Sequence, residues 1–415
     1  MPTIHRALAA FTAATAAGAG LVAVAPAGAA PAAEVAITDF GFDAASYGSK
    51  TTGNPTADSD ATALSHLPCT RKVPRDDRNF LAEAGDGDGV SLRGVATHNF
   101  TRRKNGTVSA NSVVNIDRGR LAGGDVRFTN LRGRVKAFHN ARGYHVKTVS
   151  DLGSLTVLGD NVPLPVGGRQ FKVPLPGGML IVNRRIEHVR NIGANGAVNV
   201  LRFVSSTDNT VEKVGRAFAR IDGQIEGGLF GGAAWGSDAR VGDRAALGRA
   251  ALQPMPCPGT RGKVKETSTG EARLDFGFIG ARRSFAYGVQ RDNSATGDTR
   301  SVGDSARFGG GALKFRNIRA KANVTRQADG DVIRTAKGSG IGRILVNGEE
   351  IQTPRAGVPR KVAGLGTFTV RKVNKTPNGI EVTGVIVRLF NGTPKVKSDD
   401  TVVNLANAKL KIKKG

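Results

Sequence analysis

The sequence predicts an all-β protein: two tandem, homologous β-sandwich or barrel-like domains behind an N-terminal signal peptide. Three observations carry this. Short runs alternate apolar and polar residues, Gly-Gly and Asn-Gly pairs recur along the chain, and a collinear set of residues repeats at a spacing near 188. Gly accounts for 56 of 415 residues, roughly twice the usual ~7%. The apolar share of 39% suffices for a core in a chain of this length and argues against wholesale disorder.

The organisation follows from the N-terminus onward. Residues 1 to 32 carry one charged side chain, Arg6, then an Ala-rich run through Leu21 and Val24 and small-residue sites at Ala27-Gly28-Ala29 and Ala30-Pro31-Ala32. This predicts a secretory signal peptide. No other apolar run approaches the ~18 residues of a membrane span, and Lys409 to Gly415 predicts no C-terminal anchor. The expected location is therefore secreted, extracellular or non-covalently held at the cell surface. Cys69 and Cys257 would meet an oxidising environment, where a pair persists as a disulfide. Two buried thiols are the alternative, because spacing in sequence does not fix their Cα separation.

The repeat sets the domain boundaries. Phe42, Ala45, Gly48, Ser49, Leu64, Pro68 and Cys69 recur as Phe230, Ala233, Gly236, Ser237, Leu252, Pro256 and Cys257, and Tyr47 meets Trp235. Gly124, Phe128, Asn130 and Arg132 then match Gly311, Phe315, Asn317 and Arg319, and Ala217 to Ile221 matches Ala408 to Ile412. Two units, 33–222 and 223–415, are expected, both of single-domain size.

Strands are read from the period of two in Val126-Arg127-Phe128, Arg134 to Ala137, Tyr144 to Lys147, Thr367 to Val370 and Leu410-Lys411-Ile412. Asn-Gly at 105, 195, 347, 378 and 391 supplies left-handed positions for hairpin turns. Helical periodicity is scarce, with Asn209 to Ala219 its best candidate.

Three segments carry a family likeness: Gly153 to Gly159, Leu175 to Asn183, and Asn195 to Leu201. With them the chain resembles the choice-of-anchor P family of secreted bacterial proteins, over about 150 residues of the first unit and more weakly in the second. The resemblance implies an exported, surface-associated β protein. The chain departs from the pattern after Asn183, where Arg184 and Arg185 replace an expected acidic residue.

Catalytic signatures are scarce. The His residues stand at 5, 66, 98, 139, 145 and 188, all in the first unit or the leader, so His chemistry could not be duplicated. Nucleophile-elbow, zinc-protease and phosphate-loop motifs do not occur. His139 and His145 could face one another as metal ligands, and Asp86-Gly87-Asp88-Gly89 with Glu83 offers calcium oxygens, but a solvated strand and an acidic turn are the plainer readings. No cofactor or metal site is assigned.

The formal charge of +26 is the feature with functional reach. Candidate polyanion-binding residues are Arg102, Arg103, Lys104, Arg184, Arg185, Arg371, Lys372, Lys409, Lys411 and Lys413, the last three expected on one strand face. The expected partners are anionic cell-wall or extracellular polymers, bound electrostatically. Specific nucleic-acid reading is not expected from 18 Phe, three Tyr and one Trp spread over the chain. The alternatives are an extracellular enzyme acting on an anionic polysaccharide, using carboxylates such as Asp86 and Asp88, and a self-assembling coat protein.

Overall fold

In the computed structural model the described residues are 34–52, 61–85, 89–207, 210–241, 245–274, 276–390 and 400–414. The expected signal peptide, the Asp86 and Asp88 positions and the Asn391 turn lie outside them. Among the described residues every regular ladder is an antiparallel β-ladder, and the helical elements are two single 3₁₀ turns, Ala122–Gly124 and Gly309–Gly311.

Four sheets form. Sheet one runs Phe171–Leu175, Gly178–Arg190, Gly193–Ser205, Val211–Asp222, Ala36–Thr52, Ser65–Val73. Sheet two runs Arg75–Gly85, Ser91–Lys104, Thr107–Leu121, Val126–Asn140, Ser154–Val157, Asp160–Asn161, with Gly143–Asp151 also paired to Val126–Asn140. Sheet three is ordered Ala245–Ala250, Leu229–Val241, Thr401–Lys413, Gly379–Leu389, Gly366–Thr376, Pro359–Val362. Sheet four is ordered Lys265–Thr269, Arg282–Arg291, Ser294–Phe308, Leu313–Arg326, Gly340–Val346, Glu349–Ile351. No sheet closes on itself, so the barrel alternative is set aside in favour of a sandwich-like arrangement.

Sheets one and two face each other over a core that includes Phe42, Leu67, Val114, Phe128, Leu131, Val198 and Ile221. Sheets three and four share a second core around Phe230, Phe308, Phe315, Phe368, Leu405 and Ile412. A small third cluster, Ile225, Leu229 and Cys257 with Cys69 against it, lies where the chain passes from one pair to the other. The described residues from Val35 onward nonetheless make one compact unit.

The strands named from alternation all form. Val126–Asn140 buries Val126, Phe128, Leu131, Gly133, Val135 and Ala137 and turns Arg127, Arg132, Arg134 and Lys136 outward, as a half-buried strand requires. The helix candidate does not form. Residues 211–222 are a strand held on both sides, with Ala219 opposite Ala44 and Gly196, and its apolar residues pack with a period of two. Central pairing overrides a short helical pattern. Asn105-Gly106 and Asn347-Gly348 take the left-handed angles of tight hairpins, with φ of 49° and 71° and of 52° and 89°. Asn195-Gly196 instead lies inside a strand, opposite His188 and Glu187. A Cβ on Gly196 would come within 2.6 Å of Val146, so its small size serves sheet packing.

Candidate polyanion-binding faces

The outer face of sheet two is built by strand alternation. With Leu131, Gly133, Val135 and Ala137 directed to the core, Arg132, Arg134 and Lys136 point to solvent, and beyond the left-handed Asn130 so does Arg127. Neighbouring strands add Arg118 and Arg120, Arg102, and Lys147. The register sets Arg120 directly opposite Arg127 and Lys136 directly opposite Lys147. Like charges in such pairs destabilise a sheet. Burial, followed by Arg134, Lys147 and Arg102, holds the Lys136 ammonium below the ordinary lysine range.

Aromatic rings lie among these cations. Lys136 Nζ sits 4.8 Å from the Phe138 ring centre, and Phe138 stacks on His145 at 5.0 Å. His98 and Phe100 follow on the next strand but one, their rings 4.6 Å apart. Burial and the nearby Arg78 push His98 below its ordinary value. Arg93, Arg118, Arg120, Arg127 and Phe128 line a shallow cavity of about 420 Å³ at one end of the face.

Sheet four carries a second such face. Arg307 stands opposite Lys314, Arg300 opposite Lys321, and Arg316 opposite Arg343. Arg300 lies over the Phe285 ring at 4.3 Å, and Arg307 over Phe278 at 4.5 Å. Some of the charge is matched: Lys321 approaches Asp298 at 3.6 Å, and Arg343 bonds Glu350 at 2.7 Å.

The residues singled out in the sequence do not converge on one site. Arg102 joins the sheet-two face, with Arg103 and Lys104 exposed beyond it toward the hairpin tip. Arg184 belongs to sheet one, and Arg185 donates to the Gly167 carbonyl at 3.1 Å. Arg371 occupies a left-handed position with φ 46° beside exposed Lys372 in sheet three. Lys409, Lys411 and Lys413 do alternate with buried Leu410 and Ile412. Lys409, however, pairs with Glu381 at 2.8 Å. Lys413 is held below its ordinary value by burial and then by Lys411, Lys72 and Arg75, so its cation neighbours come from both sheet pairs.

Other chemistry is sparse among the described residues. His139 packs on Phe40 and Tyr144, whereas His145 stacks on Phe138 in the adjacent register pair, so the two alternate between faces and do not make a ligand pair. Asp43, Cys69 and Cys257 cluster, but the sulfurs are bonded to one another and His66 lies 3.3 Å from the Asp43 carboxylate. Asp222 is raised by burial while Arg220 holds both its carboxylate oxygens. Glu83 is exposed and paired with Arg93 at 3.1 Å.

The outward cations of sheet two escaped the sequence reading although their signal was present. Alternation in 126–137 marked the strand, and the same period assigns Arg132, Arg134 and Lys136 to its outer side. Their opposition to residues of other strands depends on register, which the sequence does not display. No family model matches the chain, and no curated protein matches its sequence, so the likeness to the choice-of-anchor P family draws no support from those comparisons.

Proposed function

We propose that this is an exported, non-enzymatic protein of two homologous β-sandwich domains, 33–222 and 223–415, that binds anionic envelope or extracellular polymers through the outer faces of sheets two and four. The observation that carries the binding reading is the opposition of like charges at Arg120 and Arg127, at Lys136 and Lys147, and at Arg307 and Lys314. Each pair costs the isolated sheet stability, and a polyanion laid across the face would offset that cost. Cations on adjacent strands lie roughly 5 Å apart and those along a strand roughly 7 Å apart, a grid suited to repeated negative groups. Phe100 and Phe285 add flat apolar surfaces against which sugar rings of an acidic polysaccharide can rest.

The duplication is supported by the like order of the corresponding strands in the two sheet pairs, to which the second pair adds Ala245–Ala250, Ala272–Leu274 and Gly277–Ile279. It is supported also by left-handed residues at equivalent places: Ala63 and Ala251, Asn130 and Asn317, Asn183 and Arg371, Gly215 in one unit against Ala406 in the other. A disulfide between Cys69 and Cys257 suits an oxidising compartment and hence export.

Co-sedimentation with intact cell walls, and with walls stripped of anionic polymer, tests the reading across a salt titration. Binding should disappear on stripping and fall steeply with salt. Salt-independent binding, or a protein that stays in the supernatant at low salt, would overturn it. Concentration-dependent self-association without wall binding would favour the coat-protein alternative.

A further inference from the structure

The outer face of sheet one holds a compact cation cluster apart from the faces described above. Three adjacent strands place Arg184 opposite Asn199 and Asn199 opposite Arg216, while Arg202 stands opposite Lys213 in the neighbouring row. At the left-handed Gly215, φ 64°, the alternation breaks: Val214 and Gly215 are both buried, and Lys213 and Arg216, three residues apart, both lie on the outer side. Arg216 donates to Asn199 Oδ1 at 2.8 Å, and Lys213 Nζ reaches Thr52 Oγ1 at 3.4 Å.

Nothing among the described residues neutralises this charge. None of Arg184, Arg202, Lys213 and Arg216 takes part in an ion pair there. Arg202 Nε is buried with no hydrogen-bond partner. The Lys213 ammonium is driven down to about 8, first by burial and then by Arg216, Arg202, Lys50 and Arg184. Arg202 is lowered in turn by burial and by Arg184.

The fold does not need these cations. At the equivalent places of sheet three Trp235, Asn407, Thr383 and Lys372 take the row of Tyr47, Arg216, Asn199 and Arg184, and Asp238, Asn404 and Ile386 take the row of Lys50, Lys213 and Arg202. There Asn404 donates to Asp238 at 2.7 Å, and the Trp235 indole also donates to Asp238. The same scaffold thus carries a single cation, Lys372, at these places in one half, and Arg184, Arg202, Lys50, Lys213 and Arg216 in the other.

We infer that Arg184, Arg202, Lys213 and Arg216 form a discrete site for one phosphate group, free or as a phosphomonoester. Three guanidinium groups supply the planar forks that match tetrahedral oxyanions, and Lys213, opposite Arg202, adds a point charge. A dianion suits the site better than a carboxylate because several cations must be compensated at once. This site is independent of the polymer-binding faces, since its residues lie in sheet one and theirs in sheets two and four.

The test uses the whole mature protein and inorganic phosphate, with glycerol phosphate, dimethyl phosphate and acetate as further arms. The lysines are labelled by reductive ¹³C-methylation, and the Lys213 signal is assigned by its loss in Lys213→Asn. Inorganic phosphate should saturate, raise the Lys213 titration midpoint and raise Tm; glycerol phosphate should act similarly if a monoester is the ligand. Acetate and the monoanionic diester should bind at least tenfold more weakly. Lys213→Asn and Arg216→Asn install residues that the equivalent places already carry, so both should fold, and each should weaken phosphate binding by tenfold or more. An unmoved Lys213 signal at about a hundredfold excess of phosphate would overturn the site, as would binding unaffected by both variants. Either result would leave wall co-sedimentation intact, and loss of wall binding would leave the phosphate result intact.

Discussion

Cys69 and Cys257, 188 residues apart in sequence, are joined by a disulfide with their Cα atoms 5.4 Å apart. Cys69 belongs to a strand of sheet one, and the Cys257 carbonyl accepts from Phe230 of sheet three. The bond therefore ties the sheet pairs together at the place where Ile225 and Leu229 form the small junction cluster.

Replacing both cysteines with Ala frees a loop of 188 residues in the unfolded chain. The entropic ceiling for that change is about 5 kcal/mol. Urea unfolding of the double variant is expected to shift to lower denaturant and to separate into two transitions, one for each hydrophobic core. A single transition at an unchanged midpoint would mean that the bridge couples nothing.

The opposed cations give a second prediction, in which stability and binding move in opposite directions. Arg120→Gln with Arg127→Gln removes one like-charge pair from an exposed face. Stability should rise slightly, by about 0.5 kcal/mol. Polyanion binding should weaken, and the slope of log affinity against log salt should fall by about one unit for each cation lost. Affinity measured over a salt series checks both.

Lys213 predicts a pH dependence. Its folded-state midpoint of about 8 lies below the ordinary 10.5, so between those values the unfolded chain binds the extra proton. Stability should therefore rise as pH increases through that window, and Lys213→Asn should flatten the rise. Urea midpoints at several pH values, in phosphate-free buffer, measure it.

Phe230 is fully buried, and its ring is approached at 3.0 Å by the places a Cβ would occupy on Gly259, Gly288 and Gly297. Gly288→Ala, at a residue without the left-handed backbone of Gly259, isolates the steric part of this fit. It should cost about 1–3 kcal/mol by overpacking. Phe230→Ala should cost about 3–5 kcal/mol. Thermal or denaturant unfolding of the two variants distinguishes the effects.

Much of the strand architecture was legible because its cause is local. Alternation at Val126-Arg127-Phe128 and at Leu410-Lys411-Ile412 reports which side chains meet the core, and the structure buries Phe128 and Ile412 accordingly. Asn105-Gly106 was legible for a similar reason, since two left-handed residues in succession make a tight turn. Residues 211–222 were harder because pairing on both sides, a property of the whole sheet, decides their conformation. The cation sites were the least legible. Arg120 and Arg127 flank a turn and can be guessed as neighbours, but Arg184, Arg202 and Lys213 come from three strands whose register and breaks in alternation must be known before their charges add.

In each sheet pair the opening strand is a neighbour of the closing one: Phe42 pairs with Ile221, and Phe230 with Ile412. A nascent chain emerging from the ribosome thus holds Ala36–Thr52 without that partner until Val211–Asp222 has been made. The ladder is a late event in synthesis, and such distant pairing slows folding. The same adjacency brings the two ends of each half together in space, so joining them with a short linker and opening the chain at the Asn105-Gly106 turn would preserve every ladder of sheets one and two.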